Sequence, residues 1–458
     1  MLRLLFAFLF VFAVRAASDP FIAKPYLQLG DAPKAAKQET LTLVWHAADS
    51  DANWSAEVRK PGGKWAAQPA PTFRRVAVKD IDAHRVYASV LSKLKPGAEF
   101  QYRVMKDGEE VFSAKGTARK SAKQPYRFAV FGDCGAGTKA QGVIAERLHE
   151  SKPDFVFTTG DIVYSNGRIS EYRQKFFPAY NSEKTPLTRS TLLIAAPGNH
   201  DLSRRDLNLF PDSLAYFYYW NQPLNGPLTV NGTPNSPVLI GPPGENQAAF
   251  LEAAKGAYPQ MANFSFDYGN AHWTVLDSNR YSDWTDAKLQ QWLITDLKSA
   301  RRAAWRFVAF HHPGLHSSKA HALDQWMRVL SPIFEQNGVD IVFGGHVHNY
   351  QRSKPLRFAP SGGVAKNGVV EGEVTLDKNF DGKTNTKAEG VVYIVTGAGG
   401  AGLYDPGQEH DPASWKPFTE VFKSNQHSVT IADMEGKRVS IRQVSEDGTV
   451  LDSFTITK

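Results

Sequence analysis

Short runs in which apolar and polar residues alternate fill the first part of the chain, from about residue 21 to residue 121. Residues 40–45 alternate in this way, residues 84–90 do so again, and clusters of Gly and Pro separate the runs. Alternation of this kind is typical of half-buried β-strands, and no pattern of helical length occurs in this part of the chain. The pattern predicts a small all-β sandwich.

One detail points to a class of sandwich. A Pro96-Gly97 turn precedes a run with an inward-facing aromatic residue, Tyr102, and this combination resembles the tyrosine corner of fibronectin type III domains. Residues 113–125 are polar and end in Pro125, so we expect the last strand to lead there into a linker. We therefore predict a fibronectin type III-like β-sandwich over residues 17–121.

The pattern changes at Tyr126, where short and almost entirely apolar runs begin. Strands of this kind are usually buried on both faces, as in an α/β sheet covered by helices. Two stretches with apolar residues at helical spacing, residues 141–150 and 286–297, fit such helices. The second domain, residues 126–458, is therefore predicted to be α/β. Its five apolar runs are residues 127–131, 154–158, 192–195, 306–310 and 340–343.

The first residues have the character of a signal peptide. Arg3 is followed by an unbroken apolar stretch, residues 4–14, and Val14 and Ala16 offer small residues for a signal peptidase. The stretch is shorter than the roughly 20 residues of a membrane-spanning helix, and no later segment is apolar enough to span a bilayer. We expect residues 1–16 to be cleaved off and the protein to be secreted or periplasmic.

Composition adds few constraints. The 458-residue chain carries a net charge of +7, which slightly favours anionic substrates. Lys and Arg are interspersed with Asp and Glu, so no nucleic-acid surface is predicted. Cys134 is the only cysteine, which excludes an intramolecular disulfide. Nothing in the sequence indicates the oligomeric state.

The residues that carry chemistry follow the five apolar runs, each of which is succeeded by a polar cluster. In open α/β sheets the carboxyl ends of the strands face one crevice, where ligands bind. The clusters are Asp133-Cys-Gly135, Gly160-Asp161-Ile-Val-Tyr164, Gly198-Asn199-His200-Asp201, His311-His312 and Gly345-His346-Val-His348.

These clusters have metal-ligand chemistry in common. Two Asp, one Tyr, one Asn and at least three His are too many donors for a single four-coordinate zinc ion. They suit two ions that share one carboxylate. Two ions about 3.5–4 Å apart can hold a phosphoryl group and stabilise the attacking and leaving oxygens together. The clusters therefore predict a dinuclear centre that performs phosphoryl transfer.

In order and spacing the clusters resemble the motifs of purple acid phosphatases, within the calcineurin-like metallophosphoesterases. That family carries Asp-x-Gly, Gly-Asp-x-x-Tyr, Gly-Asn-His-Asp/Glu, Val-x-x-His and Gly-His-x-His, and the chain has all five in this order, with Val308 opening the fourth. The likeness extends to residues 25–28, 263–273 and 390–400. It implies an αββα sandwich for the second domain and an acid phosphatase that hydrolyses small phosphate monoesters.

The resemblance also implies a role for each residue. One set of side chains would bind Fe(III), a second set would bind a divalent ion (Zn, Mn or Fe), and one carboxylate would bridge the two. The iron ligands would be Asp133, Tyr164 and His348, the ligands of the divalent ion Asn199, His311 and His346, and the bridge Asp161.

Tyr164 indicates the branch of the superfamily. Most relatives carry a histidine where Gly135 stands, and Tyr164 resembles the ligand that replaces it in purple acid phosphatases. A phenolate is a hard anionic donor that favours Fe(III), and charge transfer from tyrosinate to iron colours that family purple.

The mechanism implied by the resemblance is attack on phosphorus by a hydroxide bound to the metals, with His200 stabilising the transition-state oxygens and a second histidine protonating the leaving alkoxide. In the family this proton donor follows the Val-x-x-His ligand closely. His321 fits best, although its separation from His311 is about one residue longer than the spacing in the family. His316 is the alternative.

Two other functions stay open. The same centre would serve a phosphodiesterase or a nucleotide or phospholipid hydrolase, because loops such as residues 221–244 set the substrate. An alternative of another class is a non-catalytic binding protein in which the sandwich is the functional part and the α/β domain has lost its activity. An α/β domain of that kind would have lost ligands, and all seven are present.

Several further residues have simpler interpretations. We expect Cys134 to fill space in the core, His272 to be a hydrogen-bonded core histidine, and His312 to lie beside the ligands rather than among them. Arg204 and Arg205 are expected on a solvated helix face.

Overall fold

The structure is a computed structural model that describes residues 19–227 and 237–458. The predicted signal peptide and residues 228–236 of the stretch 221–244 lie outside the described residues. Within those two ranges, no helix combines the length and the apolar character that a membrane crossing requires.

Two antiparallel sheets form the N-terminal region, which confirms that it is all-β. The strands are β1 Ala23–Gln28, β2 Glu39–Ala48, β3 Trp54–Arg59, β4 Ala66–Ala67, β5 Thr72–Val76, β6 His84–Leu94, β7 Glu99–Lys106 and β8 Glu109–Thr117. The sheet orders are β1-β2-β6-β5 and β4-β3-β7-β8. Trp45 of the first sheet packs on Trp54 of the second with ring centroids 5.7 Å apart, so aromatic side chains fill the space between the sheets. The boundary at residue 121 stays a prediction.

Tyr102 does not form the tyrosine corner that the sequence suggests. Its hydroxyl donates a hydrogen bond of 2.8 Å to the carbonyl of Arg189, far along the chain, whereas a tyrosine corner bonds to the backbone a few residues upstream. Most buried polar side chains are hydrogen-bonded, and for the phenol of Tyr102 the second region supplies the acceptor. Tyr102 therefore ties the sandwich to the α/β region.

The second region is α/β, as predicted. Its strands are β9 Tyr126–Phe131, β10 Phe155–Thr158, β11 Leu192–Ala195, β12 Phe264–Tyr268, β13 Ala271–Val275, β14 Trp305–Ala309, β15 Ile341–Gly344, β16 Tyr350–Ser353, β17 Leu356–Pro360, β18 Gly372–Leu376, β19 Val392–Thr396, β20 Thr419–Lys423, β21 Ser428–Glu435, β22 Arg438–Ser445 and β23 Val450–Thr457. Its α-helices are α1 Lys139–Glu150, α2 Ile169–Glu171, α3 Phe177–Tyr180, α4 Leu187–Ser190, α5 Asn199–Leu202, α6 Tyr216–Tyr219, α7 Glu245–Ala253, α8 Ala287–Ser299 and α9 Ser331–Gln336.

The five apolar runs divide between two large sheets. One sheet has the order β11-β10-β9-β21-β22-β23, and the other the order β12-β13-β14-β15-β19-β16-β20. In the first sheet β9, β10 and β11 are parallel, and in the second β13, β14, β15 and β19 are parallel. The crevice at the strand ends is thus shared by two sheets rather than built on one.

Aromatic side chains fill the space between these sheets. Trp273 of the second sheet is fully buried and packs on Phe128 and Phe157 of the first, with ring centroids 5.1 and 5.4 Å apart. The alternate residues of the same strands face helices instead, since Phe131 belongs to the cluster that includes Ile144 of α1. Each strand is therefore apolar on both faces, which gives the αββα sandwich expected from the sequence.

Buried polar rings join the β-sandwich to the α/β region. His46 and His84 are both fully buried beside Tyr219 of α6. The Tyr26 hydroxyl donates to the Tyr219 carbonyl (2.9 Å), so the Nε2–H of His46, 2.9 Å away, donates to Tyr26. The guanidinium of Arg173 lies 3.1 Å from Nδ1 of His84 and can only donate to it. Nδ1 of His84 is equally close to the Asp82 carbonyl, at 3.1 Å, so the neutral form of both imidazoles is favoured by their burial.

These two histidines are expected to make the protein less stable in acid. Burial lowers the pKa of His84 to about 4 and that of His46 well below its usual value. The unfolded chain therefore binds more protons below pH ~6.5, the ordinary histidine pKa, and the free energy of unfolding falls as the pH drops from there towards 4. For His84 alone the loss between pH 7 and pH 5 is about 2 kcal/mol.

Urea unfolding of wild type and His84→Gln at both pH values measures this effect. The difference in unfolding free energy between pH 7 and pH 5 should be smaller in the variant by that amount. An identical pH dependence in the two proteins would contradict the assignment.

Candidate metal centre

Strand register brings the polar clusters together. Thr158 at the end of β10 pairs with Phe131 of β9 and with Ala195 of β11, so these parallel strands end at the same level. Ala309 of β14 pairs with Phe343 of β15 in the second sheet. The amide of Gly132, just beyond β9, donates to the carbonyl of Thr396 in the second sheet at 3.0 Å. The loops that follow these strands therefore converge where the two sheets meet.

Tight backbone turns direct the ligands inward. Asp133, Asp161 and His346 all adopt left-handed conformations, with φ of 57°, 49° and 65°, which non-glycine residues rarely take except at functional sites. Glycines allow the close packing around them: a Cβ on Gly198 would lie 2.2 Å from Oδ1 of Asp161, and one on Gly345 would lie 2.7 Å from Oδ2 of Asp133. Larger residues would push the carboxylates aside.

Asp133 is the centre of one half of the site. It is fully buried, and its Oδ1 accepts a hydrogen bond of 3.1 Å from the Tyr164 hydroxyl. The same hydroxyl lies 3.0 Å from Nε2 of His348, which is 3.4 Å from Asp133 Oδ1. The three side chains that the sequence assigns to iron are therefore in mutual contact.

Asp161 is the centre of the other half. Its Oδ1 accepts a hydrogen bond from the His200 amide at 2.8 Å, and its Oδ2 lies 3.3 Å from Nε2 of His311. That Nε2 is also 3.0 Å from Oδ1 of Asn199 and 4.0 Å from Oδ1 of Asp133. Ligand atoms of Asp161, Asp133 and His311 all lie within 4.8 Å of one another, so Asp161 has residues of both proposed ligand sets beside it, as a bridging carboxylate needs.

Backbone carbonyls orient two of the imidazoles. Nδ1 of His311 donates to the carbonyl of Thr159 at 2.9 Å, and Nδ1 of His348 donates to that of Gly402 at 2.7 Å. Both Nε2 atoms then face the carboxylates, the arrangement common for metal-ligating histidines. In His346 the order is reversed, because Nε2 contacts Asp324 Oδ2 at 3.0 Å. Nδ1 is the atom of His346 left for a metal.

The electrostatics favour cations. Burial would lower the pKa of His311, but the carboxylates of Asp161 and Asp133 outweigh it and raise that pKa to about 9. Burial would likewise raise the pKa of Asp161, yet the nearby imidazoles, His311 first among them, hold it below its usual range. Buried carboxylates and imidazoles that share protons in this way form a site in which metal cations can replace those protons.

The phenol of Tyr164 also carries a proton that a metal cation can replace. Burial raises the pKa of its phenol well above the usual value, and the charges of Asp133 and Asp161 raise it further. The phenol therefore keeps its proton unless a strongly charged cation binds beside it. Carboxylate, phenol, amide and imidazole donors fit a pair of metal ions with a preference for oxygen and nitrogen ligands.

The backbone also explains why Tyr164, and not a histidine in the first motif, is available as a ligand. A Cβ at Gly135 would lie 1.9 Å from the carbonyl oxygen of Ile162. The amide of Tyr164 donates to the Gly135 carbonyl at 3.0 Å, so the two loops pack backbone to backbone. A side chain at position 135 is excluded unless these loops separate.

The predicted catalytic histidines differ in their surroundings. His200 is about one-third exposed, its Nδ1 donates to the Ser165 carbonyl at 2.8 Å, and its Nε2 lies 3.9 Å from Asp161 Oδ2. His321 is also about one-third exposed, and its ring centroid lies 4.0 Å from that of His346. His316 is buried, and among the described residues neither of its ring nitrogens has a hydrogen-bond partner. The geometry favours His321 over His316 as a group that can reach a substrate.

Three residues near the centre were not singled out from the sequence. Asp324 binds both His321 and His346 through Oδ2 at 3.0 Å, and Tyr404 stacks on His348 with ring centroids 4.0 Å apart. Asp201 accepts hydrogen bonds from the Gly198 and Ile162 amides. Asp201 lies inside a recognised motif, but Asp324 and Tyr404 carry no local pattern that could have identified them.

The remaining interpretations of single residues can now be compared with their positions. Cys134 is fully buried, and His272 is bound by Asp267 and Asp296 at 2.7 and 3.0 Å. His312 bonds to the Ser278 hydroxyl at 3.0 Å and packs on His346. One of its ring nitrogens also lies within 4.8 Å of ligand atoms of His311 and His346, so its place beside the ligands rather than among them stays a prediction.

Arg204 and Arg205 do not lie on a helix, since α5 ends at Leu202. The Arg204 guanidinium binds the Asn166 side chain instead, and that of Arg205 binds the Val238 carbonyl.

Comparison with known proteins agrees with this geometry. Residues 126–350 match the family Calcineurin-like phosphoesterase. The chain is 25% identical over 410 residues to an Arabidopsis thaliana protein named probable inactive purple acid phosphatase 27, covering 81% of this chain and 57% of that protein. It is 26% identical to a nucleotide pyrophosphatase/phosphodiesterase of Hordeum vulgare, covering 66% of this chain and 72% of the relative.

A solved structure has the same fold. The purple acid phosphatase from yellow lupin (Lupinus luteus) seeds superposes with a TM-score of 0.67 at 18% identity, covering 94% of this chain and 74% of the lupin chain. This neighbour shares the layout of an N-terminal all-β region followed by the metallophosphoesterase domain. The chain therefore carries a calcineurin-like metallophosphoesterase domain, and its relatives in sequence and in structure include purple acid phosphatases.

Proposed function

We propose that the protein is an exported acid phosphatase that hydrolyses phosphate monoesters at a centre of Fe(III) and one divalent ion. The observation that supports this most is the contact of the Tyr164 hydroxyl with Asp133 and His348, at 3.1 and 3.0 Å, inside a set of seven potential ligands of which all but the half-buried Asn199 are buried. A tyrosine in that position suits a trivalent ion better than zinc or manganese. Export, with cleavage after Ala16, is part of the same proposal.

The division of ligands follows the contacts. Asp133, Tyr164 and His348 would hold the iron, and Asp161 would be shared. The divalent ion would be held by Asn199, His311 and His346. When bound, the ions would supply the Lewis acidity that draws electron density from the phosphoryl group and activates water in acid.

Two histidines would serve the substrate directly. Because Nδ1 of His200 is engaged by the Ser165 carbonyl, its Nε2 is the atom that would hydrogen-bond a phosphoryl oxygen as charge develops there. His321 is held through Nδ1 by Asp324 at 3.0 Å, which leaves its Nε2 to deliver a proton to the departing oxygen. The carboxylate of Asp324 fixes the ring orientation, and the transfer uses the imidazolium form of His321, which carries a proton on Nε2 as well as on Nδ1.

The second candidate keeps the same centre and acts on phosphodiesters or nucleotides. The name of the barley relative, a nucleotide pyrophosphatase/phosphodiesterase, favours it. Rates with p-nitrophenyl phosphate and with bis(p-nitrophenyl) phosphate separate the two candidates. A faster reaction with the diester would replace the phosphatase assignment by the phosphodiesterase one.

Tyr164→Phe tests the iron assignment. The purified wild type is expected to contain iron and to absorb broadly in the visible range, and the variant is expected to lose that band because no phenolate remains to transfer charge to the metal. Tyr404→Phe is the matched control, since Tyr404 stacks on His348 without contacting the proposed ligands through its hydroxyl.

A colourless and fully active wild type that contains only zinc or manganese would contradict the iron assignment and leave hydrolysis intact. N-terminal sequencing of protein recovered from outside the cytoplasm checks export at the same time, with Ala17 as the expected first residue.

A further inference from the structure

A cavity of about 240 Å³ lies beside the metal centre and is not used by the roles assigned above. Its lining joins three structural elements: the loop after β13, the 3₁₀-helix Trp326–Leu330, and the loop between β17 and β18. The side chains that matter here are Arg280, Asp283, Trp326 and Lys366.

The cavity is one side chain away from the proposed catalytic groups. Nη2 of Arg280 lies 3.9 Å from Oδ1 of Asp324, whose other oxygen contacts His321 and His346. On the other wall, the Trp326 ring packs against His312 at 5.0 Å, and His312 packs against His346 at 4.3 Å. A substrate whose phosphoryl group lies at the metals and whose leaving oxygen meets His321 would extend its leaving group towards Arg280.

Arg280 is held in place yet accessible. Its guanidinium stacks on the Trp326 ring, 4.7 Å from the ring centroid, and Nη2 donates to the carbonyl of Asn367 at 3.1 Å. The side chain is nevertheless 58% exposed. A guanidinium has five N–H donors, and in the described part of the chain these contacts engage Nη2 alone. Its planar fork matches a phosphate group with two parallel hydrogen bonds.

The charges at the cavity favour an anion. Lys366 is exposed on the same rim as Arg280. Asp283 is the acidic residue of the lining, and its Oδ1 already accepts hydrogen bonds from the amide and the hydroxyl of Thr285. Asp324 faces the imidazoles of His321 and His346. Arg280 and Lys366 therefore stand near two carboxylates that are both already engaged: Asp283 by the Thr285 turn, and Asp324 by the two imidazoles through Oδ2, with its Oδ1 3.9 Å from Arg280.

We propose that Arg280 and this cavity form a specificity subsite for a second phosphate on the leaving group. The inference rests on the proposed hydrolytic centre and names the substrates it prefers, namely phosphoanhydrides such as nucleoside diphosphates. For ADP, the oxygen of water forms a bond to the terminal phosphorus and the bond to the bridging oxygen breaks. The products are AMP and inorganic phosphate, and Arg280 offsets the charge that collects on the departing phosphate.

The test compares the kcat/KM of ADP with that of p-nitrophenyl phosphate, which has no second phosphate. In Arg280→Gln the ratio of the two values is expected to fall about tenfold or more, the usual effect of losing hydrogen bonds to a charged group. Arg280→Lys keeps the charge but not the planar pair of N–H donors, so its ratio should lie between those of Arg280→Gln and wild type. Arg301→Gln changes an exposed arginine after α8 and should leave both values unchanged.

Inorganic pyrophosphate shows which part of ADP is recognised. In Arg280→Gln the ratio of the kcat/KM of pyrophosphate to that of p-nitrophenyl phosphate should fall as the ratio for ADP does, because the proposed contact is to phosphate. A loss confined to ADP would mean that the cavity recognises the nucleoside, and an equal loss for ADP and p-nitrophenyl phosphate would mean that Arg280 acts only through Asp324. Either result overturns the subsite.

A binding measurement keeps the inference separate from the proposed function. Calorimetric titration of the α,β-methylene analogue of ADP, whose bridging carbon cannot be cleaved, into the purified holoprotein measures binding without turnover, and Arg280→Gln should weaken that binding about tenfold. Equal affinities of the two proteins would refute the subsite even if hydrolysis of p-nitrophenyl phosphate is normal. A wild type that hydrolyses none of the three substrates contradicts the proposed function, whatever the binding result.

Discussion

Replacing Asp161 by asparagine is expected to reduce the kcat for p-nitrophenyl phosphate by about 10³-fold or more, equivalent to about 4 kcal/mol of transition-state stabilisation. The carboxylate is 1% exposed and lies between the His200 amide and the His311 imidazole, at 2.8 and 3.3 Å. An amide has nearly the same shape but lacks the charge that two cations would share. The bound metal should fall with the activity, so kcat and metal content are measured on the same samples.

Asp201→Asn is the matched control for this experiment. Asp201 is equally buried and close to the ligands, but it accepts hydrogen bonds from the amides of Gly198 and Ile162. Burial and the charge of Asp161 raise its pKa to about 7, so an amide imitates its protonated form. We expect this variant to keep both metals and to stay within about tenfold of wild-type activity. An Asp161→Asn protein with two bound metals and normal turnover would refute the bridging role.

Glu39→Gln is expected to lower the free energy of unfolding by about 3–5 kcal/mol, because it leaves a buried guanidinium without its counter-charge. Glu39 and Arg119 are each 1% exposed and form an ion pair of 2.6 Å. Arg119 also donates to the carbonyls of Ala32 and Lys34, and to that of Asp267 in the α/β region. The pair therefore supports the junction of the two regions as well as the sandwich.

The comparison for this variant is Glu110→Gln. Glu110 pairs with Arg103 at 3.1 Å, but its side chain is 41% exposed, and exposed pairs contribute about 0–1 kcal/mol. Urea unfolding at neutral pH measures both variants. If the two lose the same stability, the buried pair is not what holds the junction, and water must reach Arg119 in solution.

Local patterns in the sequence predicted those features whose cause is local. The apolar runs became strands buried on both faces, and the helix predicted from Asp286 begins with that residue as its N-cap, accepting from the amides of Lys288 and Leu289. The proposed ligands were found because each follows such a strand directly. Within each sheet, the proposed ligands lie together because parallel strands end at the same edge, but the meeting of the two groups also required the two sheets to pack with those edges together.

The features that escaped prediction depend on partners far along the chain. β21, close to the C-terminal end, pairs with β9 and so continues the first sheet beyond its parallel strands, and no short stretch of sequence specifies that partner. His46 and His84 occupy ordinary positions in alternating strands, and only the arrival of Tyr219 makes them interface residues. Tyr102 was assigned a local hydrogen bond because the distant carbonyl of Arg189 was not foreseeable.

The proposed metal centre lies where the two large sheets meet, and this position affects how the centre is assembled. Asp133, Asp161 and Asn199 follow strands of one sheet, whereas His311, His346 and His348 follow strands of the other. Neither half alone provides a full set of the proposed ligands, so metal ions would be captured only after the halves have docked, and each bound ion would then cross-link them. If the protein is exported as proposed, the metals that it binds would depend on the compartment in which folding is completed, because only the ions present there would be available to the completed site.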